Sequence, residues 1–200
     1  MIKTDTQAFD AYPQDRHWYN KLHLSRELGY RCGVDSIPFT GRWIVRPITN
    51  LQGMGKDATI GNFEKGTLID PGMFFCEVFD GRHITIDYVW ERGKWYQSHT
   101  FEGFNTPENL VQFRRWMEVD YNYPMPRFLR DVEANHINIE VKGDRIIEVH
   151  LRPNPDPVMY DDFWPIWSED QKPPFDNYVR IPDIDDTGLM GRLGFYVPKW

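Results

Sequence analysis

The chain has 200 residues, 40% of them hydrophobic and 26% charged, with 8 Trp, 10 Tyr and 13 Phe. That length supports a well-buried core, the aromatic content excludes a disordered chain, and the net charge of -7 makes duplex nucleic acid a poor partner. No apolar run approaches the ~20 residues of a membrane helix, the N-terminus has no apolar signal segment, and Cys32 and Cys76 are too few for a disulfide framework; a cytoplasmic globular protein is expected.

In chain order, Pro13 and Asp15 predict a first helix over 15–28, with Trp18, Leu22 and Leu28 as its apolar stripe and Gly29 as its cap. Residues 43–47 read as a short strand ended by Pro47. Residues 50–61, with Gly53, Gly55 and Gly61, read as a loop. The unbroken apolar run 73–79 reads as a buried strand. Ile84, Ile86, Tyr88 and Trp90 then alternate with His83, Thr85, Asp87 and Val89, which is strand periodicity. That alternation leaves open whether Asp87 meets solvent or a site. Arg92-Gly93 turns the chain, and 95–101 returns beside it. Thr106-Pro107-Glu108 opens a predicted helix to about 119, with Leu110, Phe113, Trp116 and Met117 on one face. A second helix is predicted over 126–134. A hairpin over 137–141 and 145–151 turns at Gly143, and the proline-rich, acidic stretch 153–200 is expected to wrap rather than span. Helix, strands, helices and strands in that order predict an α+β fold with antiparallel sheets.

The hairpin carries the most chemistry. Its two-residue period puts Ile147, Val149 and Leu151 on one face and Glu148, His150 and Arg152 on the other. A loop over 142–144 sets Asn138 opposite Glu148 and Ile139 opposite Ile147. A shorter loop would oppose Glu140 to Ile147 and mix the faces, so the longer one is expected. The product is a polar stripe of Asn138, Glu148, His150 and Arg152 over an apolar underside. A half-solvated edge hairpin also has a polar face. A carboxylate, an amide, an imidazole and a guanidinium in one patch nevertheless suit Mg²⁺, which takes one or two carboxylates and lets phosphates complete its shell. Arg152 then suits a phosphate or acyl-phosphate oxygen.

The stretch Ile146-Ile147-Glu148-Val149-His150-Leu151-Arg152-Pro153 resembles the last metal-binding strand of ATP-grasp enzymes, where Glu-x-Asn-x-Arg is usual. The resemblance runs back over residues 19–154. Asn20-Lys21-Leu22 through Gly29 and Pro38 looks like the helix and loop that open the ATP-binding region. Val45-Arg46-Pro47 is similar to the strand whose Lys-Pro meets nucleotide phosphates, 50–58 to the glycine-rich phosphate loop, and 75–81 to the hinge strand that receives adenine. Four positions depart from the pattern. Arg46 stands in place of lysine, His83 in place of a ribose-binding acid, Asn138 in place of the first metal acid, and His150 in place of the metal-ligand Asn.

The resemblance implies an α+β fold of two small lobes with antiparallel sheets and flanking helices, over 15–80 and 81–154, with 155–200 as a wrapping tail. It implies ATP and Mg²⁺ as cofactors. Adenine would lie at Glu77 and Val78, ribose at His83, and phosphates at Lys21, Arg46 and Lys56. Metal would lie at Asn138, Glu148 and His150, with Arg152 stabilising an acyl phosphate. The implied function is an ATP-dependent carboxylate–amine ligase with small-molecule substrates; the alternative is a catalytically degenerate nucleotide-binding or structural protein. No counterpart of the additional N-terminal domain common in such ligases is matched, so the tail or a second protein is expected to complete the pocket.

Other motifs give less. The glycine loop fails as a Walker A motif, because Asn50 replaces its first glycine and Asp57 follows Gly55-Lys56. Residues 183–188 resemble a calcium loop but lack its twelfth-position Glu, and read as a solvated acidic turn. There is no Gly-x-Ser-x-Gly elbow. Arg46, on an apolar strand, needs an anionic partner, either a phosphate or an internal carboxylate. Lys21 read from the helix alone is a solvated lysine.

Overall fold

Two antiparallel sheets build the molecule. The computed structural model describes residues 2, 4–51, 55–105, 112–183 and 191–199. In the first sheet, β1 (Cys32–Gly33), β2 (Gly41–Pro47), β3 (Thr59–Phe63) and β4 (Met73–Glu77) lie in the order β1-β4-β2-β3. The second sheet contains β5 (His83–Glu91), β6 (Lys94–Asn105), β7 (Phe113–Glu118), β8 (His136–Lys142), β9 (Arg145–His150), β10 (Asp162–Ile166), β11 (Tyr178–Ile181) and β12 (Gly194–Pro198). Its order is β11-β12-β10-β7-β6-β5-β8-β9.

Alternation sorts the faces of β5, β8 and β9. Ile84, Ile86 and Tyr88 of β5, Ile137, Ile139 and Val141 of β8, and Val149 and Leu151 pack into one core with Ala8, Trp18, Tyr19 and Leu24. The helices that carry those last residues are α1 (Asp5–Ala11), the 3₁₀ turn Arg16–Tyr19 and α2 (Lys21–Glu27). The opposite, polar face is left for a site. A second core of Phe101, Trp116, Phe163, Phe195 and Val197 supports the far half of the sheet.

Several expectations change. The helix over 15–28 is broken at Asn20, which is extended and accepts the His23 N–H at 2.8 Å as the cap of α2. Asp15 precedes only the 3₁₀ turn Arg16–Tyr19 and does not cap it with its side chain; its carboxylate accepts the Glu133 N–H at 2.8 Å. The predicted helix over 126–134 is only the 3₁₀ turn Arg127–Leu129. Phe113–Glu118 is a strand between β6 and β10, and 106–111 lies outside the described residues. There, cross-strand pairing and the packing of Trp116 against Phe101 and Phe163 override a helical stripe. Helix α1 was not foreseen, although Thr4 and Gln7 form a capping box. Residues past Pro153 do not simply wrap: β10, β11 and β12 extend the sheet. No helix among the described residues is long and apolar enough to cross a membrane.

The β8–β9 hairpin also differs in register. Lys142 pairs with Arg145, so the turn is Gly143-Asp144 alone, both residues at positive φ (54° and 64°). A shift between Glu140 and Val141 leaves Ile147 as an extra residue, giving Glu140 opposite Glu148 and Asn138 opposite His150. The β-bulge thus restores the phase that the short turn would have lost. Gly143 passes so close to the β4–β5 connection that an added Cβ would sit 1.9 Å from the Asp80 carbonyl oxygen. Gly143→Ala is therefore expected to destabilise the protein by about 2 kcal/mol or more, read as a lower denaturation midpoint at unchanged slope.

Candidate functional site

A cavity of about 610 Å³ collects all ten predicted residues: Lys21, Arg46, Lys56, Glu77, Val78, His83, Asn138, Glu148, His150 and Arg152. Lys21 begins α2, its backbone N–H donating to the Ile48 carbonyl at 2.7 Å. Arg46 comes from β2, and Glu148 and His150 from the polar face of β9. Residues far apart in sequence meet here because α2, β2 and β9 converge on one wall.

Glu148 is the centre of that wall. The Lys21 ammonium pairs directly with its Oε1, and Arg46 Nη1 lies 3.6 Å from the same oxygen. All three side chains are at most 8% exposed. The anionic partner of Arg46 is thus an internal carboxylate, and Lys21 is not a solvated lysine. Arg46 also donates from Nη2 to the Ile147 carbonyl at 3.2 Å, the group exposed by the bulge. Among the described residues its Nε is buried without a hydrogen-bond partner.

A second charged chain runs across the cavity face. His150 Nδ1 lies 3.0 Å from both oxygens of Asp5, and its Nε2 lies 3.6 Å from Glu140 and 3.7 Å from Glu148. His83 Nε2 lies 3.1 Å from the other Glu140 oxygen. Arg152 Nη2 donates to Asp5 Oδ2 at 2.9 Å. Burial disfavours a charged imidazole, but Asp5, helped by Glu140, outweighs it and lifts His150 to about 9. Burial likewise works against the two carboxylates. His150 and Arg152 nevertheless hold Asp5, and His150 and His83 hold Glu140, well below the ordinary carboxylate range.

The remaining predicted residues are placed as follows. Asn138 donates its amide to Thr85 Oγ1 at 2.7 Å and to Asp87 Oδ1 at 3.2 Å. The Glu77 carboxylate accepts from Arg31, at 2.9 Å from the backbone N–H and 3.1 Å from Nη2. Lys56 lines the cavity beside Gly55 and Ala58, while 52–54 of that loop lie outside the described residues. Past Pro153, the segment Asn154-Pro155-Asp156 and Pro165, Trp167 and Arg192 form the far wall. Arg192 is held by Asp156 at 2.9 Å and Asp183 at 2.7 Å, so Asp183 belongs to a buried ion pair rather than a solvated turn; 184–190 lie outside the described residues. Asp87 is buried, not solvent-facing, and its Oδ1 accepts from Asn138 and from the Asn154 N–H at 2.9 Å.

Two site residues escaped the sequence reading. Glu140 sits two residues from Asn138 on β8, so the alternation that placed Asn138 on the polar face places Glu140 there too. Asp5 had no such signal; only its position after a capping Thr brings it to Arg152 and His150.

Solved structures share this arrangement of elements. A protein from Archaeoglobus fulgidus described as belonging to the ATP-grasp superfamily aligns over 92% of this chain at TM-score 0.53 and 13% identity. The N5-carboxyaminoimidazole synthetase of Staphylococcus aureus, solved with ADP, aligns over 92% at TM-score 0.59 and 7% identity. The fold is an ATP-grasp fold. A third neighbour, a carboxyaminoimidazole ribonucleotide synthase from Aspergillus clavatus solved with ATP, aligns over 92% at TM-score 0.57 and 11% identity. The chain spans 65% of the Archaeoglobus protein and 68% of the Staphylococcus enzyme. No protein-family model and no curated protein matches it.

The cavity fits the groups that ATP-grasp neighbours hold. Lys21, Arg46 and Lys56 have the charge that suits phosphates, and Arg46 Nε is a buried donor with no hydrogen-bond partner among the described residues. Ligand atoms of Glu140, Glu148 and His150 lie within 4.8 Å of one another. The two carboxylates are the donors a divalent cation takes. His150, held protonated by Asp5, has no lone pair for one in that state. Asn138 donates its amide N–H groups to Thr85 and Asp87, and Glu140, two residues along β8, adds a second carboxylate to the cluster.

Two outcomes follow for stability. Glu148→Gln leaves Lys21 and Arg46 buried without a counter-charge and is expected to cost about 3–5 kcal/mol, measured by chemical denaturation. Desolvation lifts Asp87 to about 7, above its unfolded value, so its protonated form favours folding. That contribution is complete below about pH 4 and is lost as pH rises through about 7. Asp87→Asn, whose amide oxygen can accept the same two hydrogen bonds, is expected to flatten this decline. Parallel pH–stability curves for the two proteins would contradict it.

Proposed function

We propose that the cavity binds ATP and that the protein is an ATP-dependent carboxylate–amine ligase acting through an acyl phosphate. The observation that carries this reading is the convergence of Lys21, Arg46 with its unpartnered Nε, and Lys56 beside the carboxylate pair Glu140 and Glu148. In this reading Lys21, Arg46 and Lys56 bind the phosphates, and Glu77 and Val78, where β4 leaves the first sheet, border the adenine. Glu140 and Glu148 would hold Mg²⁺, which would supply neutralisation of the phosphate charge. Arg152, oriented by Asp5, meets the charge that develops as a substrate carboxylate oxygen bonds to the γ-phosphorus and ADP departs. An amine then displaces phosphate from the acyl carbon. The protein's share is positioning and charge stabilisation. Asn154, Pro155, Trp167 and Arg192 close the acceptor side, the part played by the tail rather than by a partner protein.

A second reading, nucleotide binding without turnover, is favoured by one observation: Asp5 already occupies Arg152, the residue assigned to the acyl phosphate. Thermal unfolding with Mg-ATP, followed by ADP release across a panel of carboxylates and amines, separates the two. The ligase predicts a raised Tm and acceptor-dependent ADP release, with ATP affinity at least tenfold weaker in Arg46→Ala, the order expected for a lost contact to a charged group. A raised Tm without release with any acceptor supports the second reading. No nucleotide effect on Tm overturns both.

A further inference from the structure

An acidic pair in a closed wall repels itself unless a cation sits in it. The ligand atoms of Glu140, Glu148 and His150 lie within 4.8 Å of one another, and Glu148 is buried. In this chain the cation is already present and belongs to the chain: the Lys21 ammonium pairs with Glu148 Oε1. Arg46 Nη1 stands 3.6 Å from that same oxygen, and His150 Nε2 is 3.7 Å from Glu148 Oε2. Oε1 of Glu148 therefore faces two cations, and Oε2 an imidazole, before any ligand arrives.

We propose that Lys21 is the resident cation of this cluster and keeps divalent metal out of the nucleotide-free protein. A divalent ion approaching Glu148 would have to displace an ammonium already desolvated there and would sit against Arg46, a like-charge contact in a poorly solvated place. Only an anion that draws the Lys21 ammonium away makes room. On the nucleotide reading above, that anion is a phosphate, and metal and nucleotide then enter together; the exclusion of metal from the empty site does not depend on that reading. Lys21 is suited to the exchange because its stem is flexible and its charge is a compact point, unlike the fixed fork of Arg46.

The test uses Mn²⁺ alone, with no nucleotide, followed by electron paramagnetic resonance of the free ion. Wild type is expected to show no saturable Mn²⁺ binding that Glu148→Gln removes. Lys21→Met, which keeps the apolar stem and deletes the charge, is expected to bind Mn²⁺ at least tenfold more tightly than wild type. Lys21→Met/Glu148→Gln is expected to lose that gain, and Lys21→Arg is expected not to show it. Far-UV circular dichroism and Tm establish that each variant is folded. Equal affinity in wild type and folded Lys21→Met overturns the proposal. So does Mn²⁺ binding by wild type that Glu148→Gln abolishes, a comparison that stands even where Lys21→Met fails to fold. With nucleotide absent throughout, a failure here leaves the ATP reading untouched, and a failure to bind ATP leaves this result standing.

Discussion

A carboxylate buried on β9 cannot remain charged without cations beside it, and Glu148 takes its two from elements distant in sequence: Lys21 at the start of α2 and Arg46 on β2. This requirement ties the small sheet, the large sheet and the N-terminal helices to one point. Removing Glu148 strands both cations, which is why ion pairs of this kind constrain geometry more than they add net stability. The cavity is the space that convergence leaves.

Asp5 extends the same logic to α1. Its carboxylate satisfies Arg152 and His150 together, and beside it the Tyr19 hydroxyl oxygen accepts the Leu151 N–H at 3.0 Å. The helix is short, yet Ala8 is fully buried in the main core, so the position of Asp5 is set by packing as well as by charge. On the opposite wall Arg192, between Asp156 and Asp183, does for the C-terminal strands what Arg152 does for the N-terminal helix.

Much of this was legible in the sequence, and what was not has physical causes. Strand alternation identified β5 and the hairpin faces up to the bulge, because a sheet buried on one side must repeat every two residues; beyond it Ile146, not Ile147, enters the core, and Ile147 lines the cavity. Motif resemblance brought Lys21, Arg46 and Glu148 together although no local pattern links them. Over Phe113–Glu118, Phe113, Trp116 and Met117 fit a helical stripe as well as a strand, and only neighbours far along the chain decide between them. Asn20 looked like a helix interior residue and is a cap. Asp5 was invisible because a lone acid in a first turn is ordinary; its partners lie at the other end of the reading frame of contacts, in Arg152 and His150. Glu140, by contrast, was there to be read from its spacing to Asn138.

The bulge at Ile147 has a consequence for how such a chain can drift over generations. The turn Gly143-Asp144 and the extra residue on β9 are out of phase with a plain hairpin separately and in phase only together. A single-residue deletion in either would turn Glu148 and His150 toward the hydrocarbon interior and Val149 toward the cavity. It would also withdraw the Ile147 carbonyl from Arg46. Length changes in this hairpin are therefore tolerable only in compensating pairs, so that gap patterns in homologues, and not only their residue identities, should carry the imprint of the site.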